Sequence, residues 1–156
     1  MNHDSILKNQ LTILLKGGGA HLSAARILEK VDPVLRTKKP SENIKSIWEE
    51  LEHLRLSQKD ILDYMTRQDY RSMNWPEDYW PKRNEVSDEQ WKSSENIFLE
   101  ELNSAIEMLE DENFDLFETV PQSDEHTNLR EILLIADHNA YHLSKIVQLR
   151  KIFGDW

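Results

Sequence analysis

Six histidines, at positions 3, 21, 53, 126, 138 and 142, are the residues of this 156-residue chain best suited to chemistry. His138 and His142 stand four apart in His138-Asn139-Ala140-Tyr141-His142. On a helix that spacing puts both imidazoles on one face, about 6 Å apart at Cβ, able to chelate one divalent ion. The segment lacks the glutamate that follows the first histidine in the HExxH metalloprotease motif, so the pair brings no general base with it.

Two histidines leave a site incomplete, and a third ligand must come from another element. His53 is the best candidate. On a helical wheel it stands opposite Leu51, grouped with Glu49, Leu56, Asp60 and Tyr64. If that face meets the face of His138 and His142, three neutral imidazoles converge. Three histidines with an open fourth position characterise catalytic rather than structural zinc sites. They leave the full double charge free to polarise water or a bound substrate. Glu49, one turn before His53, is a candidate base, weighed against a plain role as a solvated helix residue. His53 nevertheless falls opposite the stronger apolar stripe of its helix. The metal reading therefore requires its face to line a cleft.

The elements that must position these residues are helical. Leu7, Leu11, Leu14 and Leu15 form one stripe of a first helix from about Asp4 to Lys16. Gly17-Gly18-Gly19 breaks it, and Ala20 to Lys30 reads as a short helix. Ser41 is the expected N-cap of a second long helix, from about Glu42 to Arg67. Its stripe is Ile44, Ile47, Trp48, Leu51, Leu54, Ile61, Leu62 and Met65. Two prolines forbid a regular helix in Trp75-Pro76-Glu77-Asp78-Tyr79-Trp80-Pro81. Ser87 with Gln90 is a capping-box signal for a third long helix ending near Asp111. The last helix runs from about Asp124 to Phe153, where Gly154 stops it. It carries apolar residues on two faces: Leu129, Ile132, Leu133, Ala136, Ala140, Leu143 and Val147 on one, Leu134, Ile135, Tyr141 and Leu149 on the other. Both faces then need cover, from a central position or from a second subunit. The expected fold is all-α, a four-helix bundle with an extra short helix after the first, in one domain over 1–156.

Composition narrows the partners. There are 29 acidic against 19 basic residues and no cysteine. A disulfide framework, a cysteine-ligated metal and a cysteine nucleophile are excluded. Acidity argues against nucleic acid, and no apolar run reaches the ~20 residues needed to span a bilayer. A cytoplasmic protein is the expectation. The charge is local: residues 93–129 hold eleven acids and no Lys or Arg.

Trp48-Glu49-Glu50-Leu51-Glu52-His53-Leu54-Arg55, Gln58-Lys59-Asp60-Ile61-Leu62 and His138-Asn139-Ala140-Tyr141-His142-Leu143 resemble the DinB/YfiT-like superfamily of metal-binding four-helix bundles. Gly17-Gly18-Gly19-Ala20-His21-Leu22 and the Trp75–Pro81 loop look like one branch of it. The resemblance covers most of the chain. It implies a divalent metal, zinc or nickel, on His53, His138 and His142. It also implies transferases that use an external low-molecular-weight thiol, such as bacillithiol or mycothiol, or metal-dependent hydrolases. In the thiol reading the metal lowers the thiol's pKa.

The expected function is thus a metal-dependent transferase or hydrolase acting on a small molecule, in a homodimer. The alternative is a non-enzymatic metal-binding or interaction module on the same bundle. His21, Trp75, Tyr79, Trp80 and Tyr141 are candidates for the substrate pocket, with Asn139 a polar rim group. Structural roles compete with each: a packed His21, and an aromatic loop pinned to the bundle.

Overall fold

A computed structural model describes residues 3–156; Met1 and Asn2 lie outside the described residues. The protein is all-α. Its helices are α1 (His3–Lys16), α2 (Ala24–Leu28), α3 (Ile47–Thr66), α4 (Asp88–Glu110) and α5 (Asn128–Phe153), with 3-10 turns at Pro33–Leu35 and Glu77–Tyr79. There is no strand among the described residues, only one antiparallel bridge between Thr119 and Thr127. Among the described residues no helix is long and apolar enough to cross a membrane.

Capping decides where the helices begin. Ser87 accepts from the Gln90 N–H, and the Gln90 side chain returns to the Ser87 N–H, so α4 starts at Asp88 as its capping box predicts. In α3 the expected start at Glu42 is displaced. The cap is Ser46, which pairs reciprocally with Glu49, and Ile44 is left 47% exposed outside the helix. Thr127 caps α5 and Ser23 caps α2, so both begin four residues later than expected. Gly154 closes α5 in the left-handed conformation, at φ 75°.

The core is built around α3, which packs on α4 and α5, while α1 packs on the same two helices. Leu51, Leu54, Phe98, Ile132, Ile135 and Ile146 are fully enclosed there. In α5 the buried stripe differs from either face read on the sequence. It runs Ile132, Ile135, Asn139, His142 and Leu143, Ile146, Leu149, taking Ile132 and Leu143 from the first face and Ile135 and Leu149 from the second. Leu133, Leu134 and Tyr141 are exposed. Gln58 ties the three helices together. Its amide donates to the Phe98 carbonyl at 2.8 Å and accepts from the Asn139 side chain at 2.8 Å. Asn139 is therefore a buried cross-link, not a rim group.

The connection from α3 to α4 resolves the difficulty with His53. It folds back along α3 for most of the helix. Tyr70 and Tyr79 donate to Asp60, and the Tyr79 carbonyl meets His53. The Arg83 carbonyl accepts from the Trp48 indole, and Asn84 accepts from the Ser46 hydroxyl. The face of α3 that lacks the apolar stripe is thus covered by the chain's own connection.

Candidate metal centre

His53 from α3 and His138 and His142 from α5 meet at one point. The potential ligand atoms of the three lie within 4.8 Å of one another. His53 is 2% exposed and His142 5%. The His53 and His138 Nε2 atoms are 3.1 Å apart. Ligands ~2.0–2.1 Å from a tetrahedral zinc would stand about 3.4 Å from each other, so the donors are already near the spacing of such an ion.

Their outer partners set which nitrogen carries the proton. His53 Nδ1 lies 2.8 Å from the Tyr79 carbonyl oxygen, which can only accept. Nδ1 is therefore the N–H, and Nε2 presents a lone pair to the cluster. His142 Nδ1 lies 2.6 Å from a carboxylate oxygen of Glu50, with the same consequence. Carbonyl and carboxylate acceptors behind the imidazoles are the usual second layer of histidine metal sites; they fix tautomer and ring orientation. His138 differs: its Nδ1 is buried and has no hydrogen-bond partner. Its proton can sit on Nε2, donated to the His53 Nε2 lone pair; a metal on His138 Nε2 would require that proton to move to Nδ1 or leave.

Burial favours neutral rings at His53 and His138. Burial lowers the His53 pKa, outweighing the Tyr79 carbonyl that raises it. His138 is pushed down to about 3, first by burial and then by the charges of His142 and His53. A neutral imidazole is the metal-binding form. The three residues therefore fit a divalent metal by donor type and spacing, and His53 and His138 also by their neutral state.

Trp80 lies flat on His53, ring centroids 4.0 Å apart and planes 4° off parallel, and Lys45 sits 4.7 Å above the Trp80 ring. Tyr79 contributes its carbonyl to His53 and its hydroxyl to Asp60. Trp75 touches the Tyr79 ring edge-on but is 69% exposed. Tyr141 flanks His142 edge-on at 5.0 Å and is 62% exposed, under Lys145. His21 is exposed and bonded to the Leu22 carbonyl; it borders a small cavity with Leu14, Leu102, Asn139 and Leu143.

Glu49 is held elsewhere. Its carboxylate accepts from the Ser46 N–H at 2.8 Å and pairs with Lys39 at 2.8 Å and Lys45 at 3.2 Å. These contacts keep its pKa low despite the opposing effect of burial, the largest single influence on it. The carboxylate that reaches the cluster is Glu50, which sequence reasoning passed over. The signal was present: Glu50, His53, Ser57 and Asp60 follow one another at three, four and three residues, a stripe of their own.

Compared with family models, with curated proteins and with solved structures, the chain matches none.

Proposed function

We propose that this protein binds a divalent metal, zinc or nickel, through His53, His138 and His142, on a four-helix bundle of the DinB/YfiT-like kind formed by α1, α3, α4 and α5. The observation that supports the reading is the pair of outward partners, the Tyr79 carbonyl and the Glu50 carboxylate, which turn two Nε2 lone pairs toward a third histidine. When bound, the ion supplies Lewis acidity at whatever fills its remaining coordination position, a water, a substrate oxygen or an external thiol. The chain's own part is to hold the three rings oriented, with His53 and His138 kept neutral by burial. Trp80 covers one side of the cluster, and Glu50 balances charge behind His142. We read the activity as transfer or hydrolysis on a small molecule.

Metal analysis after expression in zinc- or nickel-supplemented medium tests the site. About one ion per chain, lost in His138→Ala, is the expected result. Less than ~0.1 ion per wild-type chain, or equal loading of the variant, overturns it. Addition of a small thiol to the cobalt(II)-loaded protein then separates enzyme from inert module. A thiolate charge-transfer band shows an accessible coordination position, and its absence favours the non-enzymatic module.

A further inference from the structure

We infer that Asp60, two helical turns from the histidine cluster, is a positioning residue of the metal centre, acting on His53 through Tyr79. The inference rests on the metal reading above. The residues are linked as follows. Asp60 accepts one phenol on each carboxylate oxygen, Tyr70 at 3.0 Å and Tyr79 at 2.6 Å. The Tyr79 main-chain carbonyl accepts from His53 Nδ1 at 2.8 Å. Seven residues separate His53 from Asp60, ~10.5 Å along α3. Tyr79 thus spans two turns of one helix face, its backbone fastened at one end and its hydroxyl at the other. The next residue, Trp80, stacks on the same imidazole.

The consequence lies in what replaces the carbonyl if it moves. The other polar atom near His53 Nδ1 is the Ser57 hydroxyl, at 3.5 Å. A hydroxyl donates as readily as it accepts, so it accommodates either tautomer. A carbonyl accommodates one. While Asp60 keeps Tyr79 in place, His53 carries its proton on Nδ1 and offers Nε2 to the cluster. Freed from Asp60, the 77–80 segment loses the phenol that anchors its carbonyl against His53, and the Ser57 hydroxyl that remains near Nδ1 dictates neither tautomer.

The test uses the full chain carrying 15N-labelled histidine. The ring nitrogens of His53 are read by NMR in the metal-free protein, and cobalt(II) affinity is read by titration. Tyr79→Phe removes a single oxygen, Asp60→Ala removes both acceptors, and Tyr70→Phe loosens the same connection without touching Tyr79. Tyr79→Phe and Asp60→Ala are expected to turn His53 from one tautomer into a mixture and to weaken cobalt binding about tenfold, in the range found for groups behind metal ligands. Tyr70→Phe should leave both readouts within about twofold of wild type. An unchanged His53 tautomer in Tyr79→Phe overturns the inference, as do equal losses in Tyr70→Phe, which would mark a general loosening of the loop. If wild-type protein binds no cobalt, the metal reading itself fails. The tautomer measured without metal still decides whether Asp60 positions His53.

Discussion

Replacing Glu50 should separate metal affinity from fold stability. In Glu50→Gln the side chain keeps its shape, and an amide oxygen can still accept from His142 Nδ1. What is lost is the charge on a 2.6 Å hydrogen bond between two groups that are 3% and 5% exposed. Hydrogen bonds to charged groups contribute ~1.5–3 kcal/mol, against about 0.5–1.5 for neutral ones. The difference, about 1–1.5 kcal/mol, predicts roughly tenfold weaker metal binding at 1.4 kcal/mol per decade. Glu50→Ala removes the acceptor altogether. The metal-competent N–H of His142 is then buried without a partner, at a cost of ~1–3 kcal/mol, and affinity should fall by up to about a hundredfold. Stability of the metal-free protein should move differently. Glu50 is a buried carboxylate whose nearest ammonium, Lys145, is 4.0 Å away, and such a charge is often neutral or unfavourable for folding. Glu50→Gln should therefore leave the urea midpoint of metal-free protein unchanged or raise it. Saturating metal should then stabilise the variant by ~1.4 kcal/mol less than wild type at the same free-metal concentration. Cobalt(II) titration and urea unfolding with and without metal measure both quantities. A Glu50→Gln affinity within twofold of wild type would refute the reasoning. A loss of metal-free stability as large as the loss of binding would refute it as well, by making Glu50 an ordinary structural residue.

Two further predictions concern the fold. The folded-state pKa of His138 is about 3 against an ordinary 6.5, and His53 is shifted in the same direction. The unfolded chain takes up a proton as the pH falls through 6.5, and the folded chain does not until about 3. Metal-free stability should therefore decline across that window, with His138 contributing up to ~1.4 kcal/mol per pH unit. His138→Gln should flatten the decline; identical urea midpoints against pH for wild type and variant between pH 6.5 and 5 would contradict it. The glycine run after α1 should be unequal in its tolerance. Gly17 has φ 69°, and a Cβ there would lie 2.9 Å from the Ser23 Cα. Gly17→Ala should cost more than ~1 kcal/mol. Gly19 has open space around the same position, and Gly19→Ala should be neutral or stabilising by up to about 1 kcal/mol. Thermal unfolding of the two variants checks the contrast.

The helical class, the breaks at Gly17 and Gly154 and the trio of histidines were legible because each is a matter of local pattern. Spacing of three and four puts His138 and His142 on one face whatever surrounds the helix; His53 joined them as the best candidate for a third ligand, on condition that its face line a cleft, and as what the resemblance implied. Legibility failed where a choice between neighbours depended on a cap or a long-range cover. On the wheel Glu49 lies about 40° from His53 and Glu50 about 60°, which favours Glu49 as the companion carboxylate. With Ser46 as the cap, however, Glu49 is the third helical residue and turns back to the Ser46 N–H. The neighbour then faces His142. Placing the cap at Ser41 hid this exchange. The cover over His53 was hidden for a different reason. Periodicity reports which helix face is apolar, not which is enclosed. The connection from Arg67 to Ser87 encloses its face mainly through hydroxyls, carbonyls and a stacked indole. In α5 the same blindness split one buried stripe between two apolar faces, because Asn139 and His142, both polar, stand in its middle.

The N-terminal half of α3 concentrates what a stable core ordinarily avoids. Ser46, Glu49, Glu50, Glu52 and His53 are all buried within eight consecutive residues. Buried polar groups are tolerated when each has a partner, yet apolar residues of equal volume commonly serve stability as well or better. The five can be sorted by what satisfies them. Ser46 and Glu49 close the helix terminus and bring in Lys39 and Lys45. Glu52 is held by both arms of Arg55, at 2.8 and 2.9 Å. These contacts account for themselves as capping and ion pairing. Glu50 and His53 are different, because their partners are each other's neighbours in the cluster: a ligand-type histidine for one, and a carbonyl that fixes a lone pair for the other. Local sequence rules are expected to break where a site needs them broken. Here the break left without a purely structural explanation falls on the two α3 residues that face His138 and His142. The Glu50→Gln experiment bears on that point directly: a gain in metal-free stability with a loss of metal affinity is the signature of a residue retained for the site rather than for the fold.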